Sequence, residues 1–376
     1  MPPPGALDNR ARRLLVIGML VLVGISVYRL YYAPPPGPYV GFSGATMGTT
    51  WNVKVAGDDL GPGSLRKIGA TIDEALSDVV GRMSTWESHS EISRFNASAS
   101  LLPFTVSPPV LKVLAIAEEV SRKSGGAFDV TVGPLVEAWG FGKAEPISSP
   151  PSDATLAHIR SRVGYRGLRL DEEAGTLSKS NPQMEVDVSA IAKGYGVDRV
   201  AEALEGLGHR DYLVEVGGEL RARGLKNNGQ VWRVAIERPS DEIRTLHRVL
   251  ALSDASMATS GDYRNYYESD GKRVSHTIDP RTGRPIGHTL ASVSVVHPSA
   301  TWADAWATAL NVLGPQAGYA LAIREGLAVH FIVRLPPAGF ETLSTPPFTA
   351  LLAATEALDE AMQNESHPSQ SHPSQE

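Results

Sequence analysis

Apolar residues recur at helical spacing from Leu65 to Met83, with Ile68, Ile72, Leu76, Val79 and Met83 on one stripe, which predicts an amphipathic helix. Ser107 ahead of Pro108 and Pro109 predicts a second helix start, and Gly125 and Gly126 its end. Further helices are predicted from Ser189 to about Leu207 and near Phe348 to Met362. Apolar runs predict strands at Tyr212 to Val216 and Trp232 to Ile236, flanking a Gly217–Gly218 turn, and at Ala291 to His297 and Val329 to Arg334, the last of the series. Leu168 to Ser178 reads as a hairpin turning near Ala174 and Gly175, and Met184 to Val188 as a buried strand. Strands and helices mix without regular alternation, which places the fold in the α+β class.

The longest apolar run lies outside this pattern. Leu14 to Tyr28 carries no charge, and Arg29 interrupts the run before Leu30, Tyr31 and Tyr32. A bilayer core takes ~20 apolar helical residues, and Arg29 can snorkel to an interface, so residues 14–32 are expected to form a transmembrane signal anchor. Arg10, Arg12 and Arg13 would keep residues 1–13 in the cytoplasm and send the rest to the periplasmic face of the inner membrane. Ala33 is followed by prolines rather than an A-x-A cleavage site; a cleaved signal and a twin-arginine signal at Arg12–Arg13 are the alternatives. Residues 33–40 read as a stiff proline-rich linker and 41–362 as one folded domain. Residues 363–376, in which SHPSQ repeats, read as a disordered tail.

Composition narrows the chemistry. With 42% hydrophobic residues over 376 positions the chain can bury a sizeable core, and a net charge of -6 without a basic stripe gives no case for nucleic acid. The absence of cysteine excludes disulfides, thiolate metal sites and a lipidated anchor. No P-loop, GxGxxG or HExxH motif is present.

Candidate chemistry concentrates between Thr259 and Thr308: TSGDYRNYYESDGKRVSHTIDPRTGRPI, then ASVSVVHP, then WADAWATAL. Asp304 and Thr308 stand four apart, so a helix puts both oxygens on one face, where hard ligands suit Mg2+. Local alternatives exist for each residue. Thr301 and Asp304 fit a capping box, Thr308 can bond the preceding turn, and Asp187 can cap a helix. Gly194 and Gly196 weaken a helix and point to a close backbone approach or to simple packing.

In residue type and order these segments resemble the ApbE family, the FAD:protein FMN transferases. GATMGTTWNVKV, MSTWESHSEISRFN, GGAFDVTVGPLVEAWGFG and VDVSAIAKGYGVDRVAEAL support the resemblance, which spans roughly Ser43 to Leu313. It implies one α+β domain and Mg2+ held by Asp304, Thr308 and the Ala190 carbonyl. It also implies FAD as substrate, contacted by Met47, Trp86, Ala127, Phe128, Asp129, Asp187, Lys193 and Ile278. Trp86 stands where many relatives have Tyr. His276 would act as catalytic base, with Asp279 as its orienting neighbour. The expected reaction moves FMN from FAD to a Thr or Ser hydroxyl of an acceptor flavoprotein, a membrane-associated redox protein, and releases AMP. The rival readings are an FAD pyrophosphatase and a non-catalytic FAD-binding protein.

Overall fold

Val40–Thr46 (β1) and Thr49–Val55 (β2) open the fold as a hairpin whose two-residue turn is Met47–Gly48. Trp51, Val53 and Val55 alternate inward along β2, as a half-buried strand requires. The computed structural model describes residues 37, 39–58, 60–142, 147, 149–239, 246–262, 266–269, 272–335 and 339–366. The predicted anchor at Leu14 to Tyr32 and residues 367–376 lie outside these.

Six more strands complete the main sheet: Tyr212–Val216 (β3), Glu219–Arg223 (β4), Ala255–Gly261 (β5), Leu290–His297 (β6), Ala328–Arg334 (β7) and Phe340–Ser344 (β8). Spatial order follows chain order from β1 to β8, and every neighbouring pair is antiparallel. The helices are Pro62–Met83 (α1), Glu91–Ala97 (α2), Pro108–Lys123 (α3), Gly133–Ala138 (α4), Asp153–Arg160 (α5), Ser189–Gly206 (α6), Ala300–Arg324 (α7) and Pro346–Ser366 (α8). The α+β expectation holds.

Two apolar clusters fix the helices. Ile68, Ile72 and Leu76 of α1 meet Val53 and Val55 of β2 and Val197, Val200 and Leu204 of α6. Each such buried side chain contributes roughly 1.5–3 kcal/mol. The larger cluster joins α3, the start of α6, β6, β7 and α7. Helix α7 is apolar on nearly all sides, as a helix enclosed by protein must be. It breaks at Gly314 (φ 76°), where Pro315 follows and a Cβ would lie 2.7 Å from the His288 ring.

Four expectations need correction. Met184 to Val188 joins no ladder: Val186 exchanges hydrogen bonds with the Asn96 side chain, and the Asp187 N–H goes to the Val130 carbonyl, so side chain and loop replace a strand partner. The strand that follows the Gly217–Gly218 turn is β4, not Trp232 to Ile236, which pairs with Leu246–Leu252 in a separate ribbon. Strand β8 follows the one expected to be last, and α8 runs to Ser366, four residues into the predicted tail.

Among the described residues no helix is long and apolar enough to cross a membrane.

Candidate active site

The N-terminus of α7 is held by a residue of another helix. Asp198 of α6 accepts from Ser299 Oγ (2.6 Å), Ala300 N (3.0 Å), Thr301 N (3.0 Å) and Thr301 Oγ1 (2.7 Å), with Arg221 Nη1 at 3.1 Å as counter-ion. An anion at this end satisfies free N–H groups and the helix dipole together. Ser299, not Thr301, is the N-cap residue, so Asp304 is not used in a capping box.

Asp304 instead turns toward α6. Its carboxylate is 2% exposed; Oδ2 accepts the Gly194 N–H at 2.9 Å, and Oδ1 lies 3.7 Å from Lys193 Nζ. In an ideal helix the Gly194 N–H would serve the Ala190 carbonyl four residues back. Asp304 therefore draws on the donor that this carbonyl would otherwise engage. A Cβ on Gly194 would lie 2.2 Å from the Ala300 carbonyl oxygen, so only glycine permits this helix crossing. Thr308, one turn further along α7, has Oγ1 3.3 Å from Ser260 Oγ of β5.

Lys193 also reaches Glu219, the first residue of β4, at 3.5 Å. Burial alone would lower the lysine, but the carboxylates of Asp304 and Glu219 outweigh it and hold its pKa above the ordinary value. Burial pushes the Glu219 carboxyl up, Lys193 opposes that, and Asp304 adds to it. A buried carboxylate facing one ammonium, with a hydroxyl a turn away, is an oxygen donor set that fits a divalent cation. No group of three or more His, Asp or Glu converges among the described residues, so a metal here rests on Asp304 with neutral oxygens.

Met47 approaches the same place from the β1–β2 turn. It holds a positive φ of 48°, which costs a non-glycine residue about 1–3 kcal/mol. A Cβ at Gly196 would lie 3.1 Å from Met47 Cε, so Gly194 and Gly196 both mark close approaches.

A second group forms around the start of α6. Asp187 Oδ1 accepts the Ser189 N–H at 2.9 Å, and its own N–H ties it to Val130, next to Asp129. Asp129 is buried, with Oδ1 on Thr131 N and Oγ1 and Oδ2 on Tyr165 N, so its carboxylate clamps two loops. Burial pushes its pKa up against those hydrogen bonds. Ala127 and Phe128 are buried, Phe128 within the main core, and their N–H groups donate to the Ser124 carbonyl and hydroxyl. Trp86 is 70% exposed. Ile278 is buried among Leu135, Trp139 and Ile159.

His276 meets the edge of the Phe141 ring at 6.3 Å. The geometry gives Asp279 another partner: Arg281 takes both its oxygens at 2.8–2.9 Å, so an orienting role toward His276 gains no support. The Asp279–Gly283 turn packs beside Gly126, where a Cβ would lie 3.9 Å from Arg281 Cγ. The link to α7 is Asn311, whose Nδ2 lies 3.3 Å from Thr277 Oγ1, three residues past Thr308. Glu219, Asp198 and Asn311 were not singled out from sequence. Only Glu219 carried a signal, as the acid directly after a Gly-Gly turn.

The family model described as ApbE family matches residues 47–331. FAD:protein FMN transferase from Haemophilus influenzae is 43% identical over 321 residues, covering 84% of this chain and 92% of its own length. That from Vibrio cholerae is 43% identical, covering 85% and 94%. Among solved structures, Flavin Transferase ApbE from Vibrio cholerae superposes with a TM-score of 0.76 at 41% identity, covering 84% of this chain and 99% of its own. The apo flavinyl transferase ApbE of Pseudomonas stutzeri gives 0.75 at 39% identity, covering 84% and 96%. With the motifs in order along the fold and the family model matching most of its length, the chain belongs to the ApbE family.

Proposed function

We propose that this protein transfers FMN from FAD to a Thr or Ser hydroxyl of an acceptor flavoprotein and releases AMP. The observation that carries this reading is the buried Asp304, fixed by the Gly194 N–H beside Lys193, in a chain 38–43% identical to proteins named FAD:protein FMN transferase. In the reaction the acceptor oxygen bonds to the FMN phosphorus as the pyrophosphate P–O bond breaks, and AMP leaves with the bridging oxygen.

Each residue has a distinct task. Asp304, Thr308 and the Ala190 carbonyl would hold Mg2+, which supplies neutralisation of phosphate charge. Lys193 would add a positive charge that favours the phosphates. Met47 and Trp86 would pack on flat rings of FAD, while the Ala127–Asp129 backbone, Asp187 and Ile278 position it. His276 takes the proton of the acceptor hydroxyl. The domain would work on the periplasmic face, tethered by residues 14–32, where a membrane-associated acceptor is within reach.

The test is direct. Purified chain, FAD and a candidate acceptor should give a fluorescent acceptor band, the mass increment of FMN and one AMP per transfer, all lost in EDTA and in Asp304→Ala. AMP without acceptor labelling would favour the pyrophosphatase reading. Acceptor labelling at the wild-type rate by Asp304→Ala in EDTA would remove the metal from the mechanism.

A further inference from the structure

Glu219 is 4% exposed and its Oε2 has no hydrogen-bond partner. An unpaired oxygen on a buried carboxylate is costly and calls for a reason. Its nearest cation is Lys193, 3.5 Å from Oε1, which at the same time stands 3.7 Å from Asp304 Oδ1. The other Asp304 oxygen already accepts the Gly194 N–H, so the ammonium faces the less engaged oxygen. Two cations about 4 Å apart on one carboxylate repel strongly in a poorly solvated site.

The lysine stem runs close against the Gly217–Gly218 turn. A Cβ on Gly217 would lie 3.1 Å from Lys193 Cδ, so the Gly217–Gly218 turn (φ 62° and 101°) presses on the stem. Glu219 follows this turn directly and is held by it.

We propose that Lys193 is a resident cation competing with the divalent metal for Asp304, and that Glu219 is the positioning residue that draws it away. As metal binds, the ammonium leaves Asp304 Oδ1 and closes on Glu219, satisfying the oxygen now unpaired. The inference rests on the metal reading of Asp304 given above.

A double-mutant cycle on metal affinity tests it, by calorimetry with Mn2+ on the full-length chain without FAD. Lys193→Met should tighten binding by ~10-fold or more, and Glu219→Gln should weaken it by a similar factor. The loss caused by Glu219→Gln should be ~10-fold smaller in the Lys193→Met background, because no ammonium is left to fall back on Asp304. Equal losses in both backgrounds would reduce Glu219 to a distant charge or a direct ligand and overturn the exchange. So would unchanged affinity in Lys193→Met. Near-UV circular dichroism checks the fold. Should Glu219→Gln not fold, Glu219→Asp, which keeps the charge but shortens the arm, should weaken Mn2+ binding only when Lys193 is present. Wild-type protein that binds no Mn2+ would instead bring down the metal reading itself, and the exchange with it.

Discussion

The Gly194 N–H donates to Asp304 Oδ2 at 2.9 Å, across two helices and 110 positions of sequence. A methyl at Gly194 would meet the Ala300 carbonyl at 2.2 Å and Asp304 Cβ at 2.8 Å. Gly194→Ala should cost about 1–3 kcal/mol in urea denaturation, the usual range for overpacking, and should reduce FMN transfer more than stability. Gly63→Ala in the first turn of α1, where nothing lies within 4 Å, is the control expected to stay near wild type.

Asp198 holds the start of α7 by four contacts and carries Arg221 as its counter-ion. Asp198→Ala leaves buried donors unpaired and Arg221 with only its longer contact to Glu205 (3.6 Å), so unfolding free energy should fall by about 3–5 kcal/mol. A loss below ~1 kcal/mol, the size of an ordinary exposed pair, would mean that α7 is positioned by its apolar packing alone.

His276→Asn should keep FAD affinity, since the residues proposed to hold FAD are untouched, while transfer slows by ~100-fold or more. FAD binding by fluorescence and AMP release must be read separately. Weak binding with normal turnover at saturation would assign His276 to ligand positioning.

A different imidazole contributes to the pH response of the fold. His330 of β7 is buried, with Nε2 3.2 Å from His247 Nε2 and Nδ1 2.8 Å from Ser344 Oγ. Burial, then His247 and Arg248, push its pKa down to about 4. The unfolded imidazole binds a proton near pH 6.5, so between about 6.5 and 4 the unfolded state holds more protons than the folded one. Stability should therefore fall as pH drops through that window, by up to about 3 kcal/mol. Urea midpoints at pH 7.5 and 5 should converge in His330→Gln relative to wild type.

Elements with a strong period were legible in the sequence: the Ile68 to Met83 stripe, the α3 boundaries and the α6 start all appear as read. ELRAR hid β4 because its charged positions face other elements: Arg221 pairs with Asp198 and Arg223 with Glu205, both of α6. Met184 to Val188 misled in the opposite direction, since apolar burial does not say where the backbone donors go. At the site, the motif residues could be named, but their partners could not. Asp198 and Glu219 act on groups 23 to 103 positions away, and no local pattern encodes such a meeting.

The sheet keeps chain order although Asn52 and Glu215, bonded across β2 and β3 at 2.7 Å, are 163 residues apart. During synthesis β2 emerges before β3, with α1 to α6 between them in the chain, so one of its edges has no partner until β3 follows. Such an edge recruits foreign strands when it is apolar. In β2, Asn52 and Lys54 alternate with the buried Trp51, Val53 and Val55. The charge and amide along this strand thus guard a nascent chain, and replacing them with valines should send newly made protein into aggregates while leaving the finished sheet intact.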